Sequence, residues 1–167
     1  MNRRNFINKS SLGLVTLPFF NSDLFRSIKL KDPIFFKLSL AHFSLFRPIL
    51  NGEIDVYDFA KVSREEGFEG LEYMTTLYKP GGWGQKKSTF GLKEAKDFAN
   101  KSNKKADEFG QENVLLMIDG EGDLSRPGKK ESTESIENHY KWIDAAAEMN
   151  CHSVRVNLYG STDKDEW

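Results

Sequence analysis

The chain has 167 residues, with 24 Lys and Arg against 25 Asp and Glu, a formal net charge of -1 and a pI near 6.3. That balance excludes a general nucleic-acid binder, which needs a basic face to meet phosphates. A single cysteine, Cys151, excludes an internal disulfide and a multi-cysteine zinc site, and its position just before an apolar run suits a small buried residue. Lys and Arg cluster at Lys86-Lys87, Lys101 to Lys105 and Lys129-Lys130, each beside acids or turns, as solvated surface does.

Residues 1–32 read as a leader and linker, and 33–167 as the folded part. Asn2-Arg3-Arg4-Asn5-Phe6-Ile7-Asn8-Lys9 precedes a short apolar stretch from Ser10 to Phe20, too short for a stable membrane anchor. Arg3-Arg4-x-Phe6-Ile7 resembles the twin-arginine export motif, which implies a protein exported after folding. The alternative is an ordinary basic start before an amphipathic segment, and a cytoplasmic protein. No other stretch reaches membrane-spanning length.

Phe35 to Leu40 is the first expected strand, running out at Ala41-His42-Phe43-Ser44. Asp55 suits an N-cap for a helix carrying Phe59, Ala60 and Val62, with Gly67 as its stop. Gly70-Leu71-Glu72-Tyr73-Met74 is the second strand. Lys79-Pro80-Gly81-Gly82-Trp83-Gly84 is a loop without either phosphate-binding glycine spacing, open to reading as a lid or as inert surface. A helix follows with Leu92, Ala95, Phe98, Ala99, Ser102, Ala106 and Phe109 on one stripe, ending at Gly110. Val114 to Ile118 are five apolar residues in a row, which predicts a strand buried on both faces. It breaks into a glycine-punctuated turn bearing Asp119, Glu121 and Asp123. Ser132 or Thr133 can cap a third helix expected to bury Ile136, Tyr140, Ile143 and Ala147 and to end near Asn150. Ser153 to Leu158 is the fourth strand, and Gly160-Ser161-Thr162 opens what reads as another helix.

Strict alternation of strands and helices predicts an α/β chain with a parallel sheet. Two architectures fit: a complete doubly wound sheet, or the N-terminal half of a (β/α)8 TIM barrel, whose full length is roughly 250 residues. A chain that stops within the first turn of a helix is expected to be a partial one, which favours the half barrel.

Phe36-Lys37-Leu38-Ser39-Leu40-Ala41-His42 and Glu66-Gly67-Phe68-Glu69-Gly70-Leu71-Glu72-Tyr73 resemble the first two strands of the sugar phosphate isomerase/epimerase family, which has the xylose-isomerase-like barrel. Met117 to Leu124, Glu137 to Ala146 and Cys151 to Asn157 are similar to the third strand, third helix and fourth strand of one subgroup. The resemblance spans Phe36 to Gly160. It implies isomerisation or epimerisation of a carbohydrate-like substrate, with a divalent metal holding neighbouring oxygens while carboxylates move a proton. In the family the metal ligands and acid/base carboxylates belong to the later strands. No catalytic residue and no metal ligand is therefore assigned to this chain, and these residues alone are expected to bind no metal and to be inactive. A barrel relative that binds carbohydrate without turnover, and a complete doubly wound ligand-binding domain, are the rival readings.

Four residues are expected to contact substrate. Glu72 interrupts an apolar strand near its C-terminal end, where barrel enzymes place site residues, against the alternative of a structural ion pair. Asp119 lies nearest the third strand, with Glu121 and Asp123 read as turn-formers and caps; the calcium-loop pattern fails because Leu124 and Lys130 stand where Gly and Glu are needed. His42 follows strand one, where an imidazole could hydrogen-bond a substrate. Asn157 and Arg155 share one face of strand four; Asn157 is the expected contact and Arg155 the partner of a buried acid. His139, His152, Trp83 and Trp142 read as structural. The oligomeric state, the sugar and the metal have no signal in the sequence.

Overall fold

The structure, a computed structural model, describes residues 36–78, 90–125, 129–161 and 163–164. The leader, the Lys79 to Gly84 loop and the helix expected from Thr162 lie outside the described residues. In chain order the elements are β1 (Ser39–Ala41), α1 (Phe46–Leu50), α2 (Phe59–Glu65), β2 (Gly70–Met74), α3 (Leu92–Phe109), β3 (Glu112–Met117), α4 (Lys129–Glu148) and β4 (Ser153–Arg155). Single 3-10 turns at His42–Leu45, Val56–Asp58 and Thr75–Leu77 join them.

The four strands form one parallel sheet in the order β1-β2-β3-β4, so the chain is α/β with helices alternating between parallel strands. A parallel neighbour needs a crossover long enough to return the chain to the same end, and the helices supply it. Asp55 accepts the Tyr57 N–H at 2.8 Å to start the first crossover. In α3 the Glu94 carboxylate reaches back to the Gly91 N–H at 2.9 Å, and Gly110, at φ 61°, closes the helix in the left-handed conformation that a side chain disfavours.

One face of the sheet carries the core. Phe59 and Ala60 of α2, Ala95, Phe98 and Ala99 of α3, and Trp142, Ala145 and Ala146 of α4 pack with Leu71, Tyr73 and Leu116 from the strands and with Ile118. Complete burial of a side chain such as Leu71 or Leu116 contributes about 1.5–3 kcal/mol. Met74 and Met117 alternate to the other face, where Leu77, Phe46, Ile49 and Val56 gather around them.

Several expectations need correction. β1 and β4 are three residues each, shorter than Phe35 to Leu40 and Ser153 to Leu158, because among the described residues each pairs on one side only, β1 turning into the 3-10 turn at His42 and β4 ending level with the end of β3. β3 is not buried along its length: Val114 and Leu115 are half-buried while Leu116 and Met117 are buried. The sheet register also slips, with Leu71 opposite Asn113 but Glu72 opposite Leu115, so Val114 is an extra residue on β3. That bulge leaves Asn113 on the helix side, where its amide donates to Asn103 Oδ1 and the Met149 carbonyl, and puts Leu115 on the opposite face.

The expected core stripe of α4 is likewise the wrong one. Ile136, Tyr140 and Ile143 are 41%, 58% and 42% exposed, and Ala147 is exposed too. The buried stripe is Ser135, His139, Trp142, Ala146 and Met149, because the large indole fills the gap between sheet and α3 that no aliphatic side chain on this helix matches.

Candidate functional site

Parallel strands bring all four C-terminal ends to one rim, and polar side chains collect there on the face opposite the main core. On β4, Arg155 lies opposite Met117, which sets it on the Met74 face. Its Nη2 donates to both oxygens of Asp119, at 3.0 and 3.1 Å. Asn157 donates from Nδ2 to Asp119 Oδ1, and its own Oδ1 accepts from Arg155 Nη1. Acid, guanidinium and amide thus close a triangle across the ends of β3 and β4.

Asp119 is held from behind as well. Its N–H donates to Thr75 Oγ1 at 3.0 Å, and the Thr75 hydroxyl faces the Asp119 carbonyl at 3.4 Å. Thr75 is fully buried directly after β2, so the backbone at the end of β3 is clipped to its neighbour before the side chain acts. Lower on the same face, Glu72 accepts from the Ser39 hydroxyl at 2.5 Å. Gly70 permits that approach: a Cβ there would lie 2.8 Å from Val114 Cγ2 and 3.0 Å from Ser39 Cβ.

The turn after β3 is anchored to α4. Glu121, expected as a turn-former or cap, is 3% exposed; its carboxylate accepts from Trp142 Nε1 at 2.8 Å and from Lys141 Nζ at 3.0 Å. Gly122 has φ 102°, and any Cβ on it would overlap the Ser135 hydroxyl at 2.2 Å. His139 donates from Nδ1 to the Ser135 carbonyl at 2.6 Å, which fixes the same turn of helix. Asp123 accepts from both the N–H and the hydroxyl of Ser125, and Ser125 Oγ accepts from the Gly160 N–H, so this loop also meets the segment after β4.

His42 is placed apart from the other three candidates. It has no exposed surface; the ring stacks on Phe59 at 4.0 Å between centroids with 9° between planes, and its edge meets Tyr73. Nδ1 lies 3.3 Å from the Tyr78 hydroxyl, which also reaches the Val56 carbonyl, and Nε2 has no partner among the described residues. Burial pushes its pKa down to about 3, so the ring is neutral at ordinary pH. The structure therefore brings together Asp119 and Asn157, puts Glu72 on the same face, and turns His42 into the aromatic core.

Thr75, Ser39 and the buried role of Glu121 had no signal of their own in the sequence. A threonine one residue beyond a strand and a serine inside one are ordinary in composition, and only the pairing register shows what each faces. Cys151 is half-buried against the core, and burial pushes its thiol up to about 11, which makes it a poor nucleophile.

At the opposite end of the strands lies a cavity of about 530 Å³, lined in part by Asn103, Gln111, Asn113, Asn150 and His152. The Asn103 and Asn113 amides there are spent on tying α3 and the end of α4 to β3, through the Glu148 and Met149 carbonyls. That end is a structural joint.

Among the described residues no three His, Cys, Asp or Glu side chains converge to hold a metal ion, and the Asp119 oxygens already accept from Arg155 and Asn157. These residues do not fit a divalent cation, and no chemical step is derived through one. Among the described residues no helix is long and apolar enough to cross a membrane. Neither the family models nor the curated proteins yield a match to this chain.

Proposed function

We propose that this chain is the N-terminal half of a xylose-isomerase-like (β/α)8 barrel and serves a sugar or sugar phosphate isomerase or epimerase, exported by its twin-arginine-like leader. The observation that carries the reading is the cluster of Asp119, Arg155 and Asn157 at the C-terminal ends of β3 and β4, with Glu72 lower on the same face of the sheet. Carboxylates accept from hydroxyls, and amide and guanidinium groups donate to carbonyl and hydroxyl oxygens, which is the donor and acceptor set a sugar requires.

A barrel is favoured over a doubly wound sheet by the strand order. The strands run 1-2-3-4 without reversal, whereas a doubly wound sheet changes direction and covers both faces with helices. Here the three longer helices α2, α3 and α4 share one core against one face, and among the described residues only the five-residue α1 meets the other, through Phe46 and Ile49. The Met74 face, with its polar rim, is then the barrel interior.

In this reading the described residues bind and orient. Thr75 fixes the Asp119 backbone; Asp119 aims Arg155 and Asn157 across the rim; Glu72, held by Ser39, presents a carboxylate deeper in the barrel. The divalent metal and the acid/base carboxylates belong to later strands. The test is solvent exchange: the protein carrying all eight strands, incubated in D2O with an aldose or ketose and a divalent cation, is expected to place deuterium on the carbon beside the carbonyl. Failure to exchange with any sugar across pentoses and hexoses, with carbohydrate still bound, favours the non-catalytic carbohydrate-binding relative.

A further inference from the structure

We infer that the part of the ligand lying over these four strand ends is an uncharged, hydroxyl-rich group and not a phosphate ester. The inference rests on the carbohydrate reading above and narrows it. Among the described residues, the strands and the few residues that follow each bring to this face two carboxylates, Glu72 and Asp119, and one cation, Arg155.

That cation is already committed. Arg155 Nη2 spans both oxygens of Asp119, and Nη1 donates to Asn157 Oδ1. Its Nε is buried and closed to an incoming anion. What the guanidinium still offers is an N–H or so on Nη1, enough for one hydroxyl or carbonyl oxygen. A phosphate monoester asks for more, since its dianion is best met by a planar fork of parallel N–H donors.

To give a phosphate that fork, Arg155 would have to release Asp119. The carboxylate side chain is only 13% exposed and would then face a dianion without the Arg155 guanidinium between them. Glu72 adds a second negative charge on the same side of the sheet. A neutral polyol meets neither penalty. Its hydroxyls donate to carboxylate oxygens and accept from the Arg155 and Asn157 N–H groups, leaving the triangle intact. A site built around hydroxyl hydrogen bonds also discriminates well, because an analogue that cannot pair leaves its polar groups unsatisfied.

The experiment uses the protein carrying all eight strands, labelled with nitrogen-15, following the Arg155 Nε–H and Asn157 side-chain amide signals. The probes are D-ribose, myo-inositol, D-ribose 5-phosphate and inorganic phosphate. The two neutral polyols are expected to move both signals, and ribose 5-phosphate to bind at least about tenfold more weakly than ribose. Asp119→Asn removes the charge that occupies Arg155, so the variant is expected to reverse that order and to respond to inorganic phosphate. In the parent protein, tighter binding of ribose 5-phosphate than of ribose, or a response of Arg155 to inorganic phosphate, overturns the inference while leaving the carbohydrate reading standing. Silence towards all four probes contradicts both.

Discussion

His42 shows how a residue that looks reactive in a sequence can be spent on packing. Its ring fills the layer between Phe59, Tyr73 and Tyr78, and burial lowers its pKa from 6.5 to about 3. The unfolded chain therefore takes up a proton that the folded chain refuses. Stability is full above about pH 6.5 and is lost as the pH falls toward 3, at about 1.4 kcal/mol per pH unit from this group. Urea unfolding at pH 7, 6, 5 and 4 should show that slope in excess of the carboxylate contribution, and His42→Phe should flatten it. An unchanged slope in the variant would mean the imidazole is not sealed as described. Glu121 carries a second residue-scale expectation. Glu121→Ala strands Lys141 and Trp142 Nε1 in a buried place and should cost about 3–5 kcal/mol in thermal or urea unfolding. Glu121→Gln keeps an acceptor for the indole and should cost clearly less. Glu72→Gln differs from both: in the complete enzyme it should lower turnover with little change in melting temperature, because only a part-buried bond to Ser39 is altered.

Among the elements, the bounds of β2 and α3 were legible to the residue, although Leu92, on the expected apolar stripe of α3, is 50% exposed. Gly70 to Met74 combines aromatic and aliphatic residues between turn signals, and the Ala95, Phe98, Ala99, Ser102, Ala106 stripe has one apolar face only. Helix α4 was not, because it carries two apolar stripes and periodicity alone cannot choose between them. The Ile136, Tyr140, Ile143 stripe is the more hydrophobic by composition, yet the one containing His139 and Trp142 is buried. Shape decides: Trp142 meets Phe90 at 5.4 Å and Phe98 at 5.8 Å between ring centroids. Trp142→Ala should accordingly cost about 3–5 kcal/mol, and Tyr140→Lys less than about 0.5 kcal/mol, in urea unfolding of this chain. Equal costs would place the wrong face of α4 against the sheet. The bulge at Val114 was invisible for a related reason. A run of five apolar residues carries no mark of which neighbours share a face, so the pairing of Asn113 with α3 and α4 appears only in three dimensions.

For the whole molecule, the parallel direction of the strands followed from alternation, which left their order open, while the candidate site was legible only in part. Asp119 and Asn157 could be placed at strand ends, but their closure through Arg155 depends on the register of β3 against β4. Parallel sheets are stable when both faces and both edges are covered. Among the described residues β1 and β4 each pair on one side, and Val154, Val156 and Leu158 are exposed. The chain on its own should therefore self-associate as its concentration rises, and sedimentation showing a monodisperse monomer at every concentration would contradict that. The central claim, that function resides on the sheet face that carries Glu72 and, at its rim, Asp119, Arg155 and Asn157, is most directly tested by mapping backbone amide shifts during titration with a neutral sugar. Shifts concentrated at the ends of β2, β3 and β4 are the predicted result; shifts confined to the opposite end, around Asn103, Gln111 and His152, would contradict it.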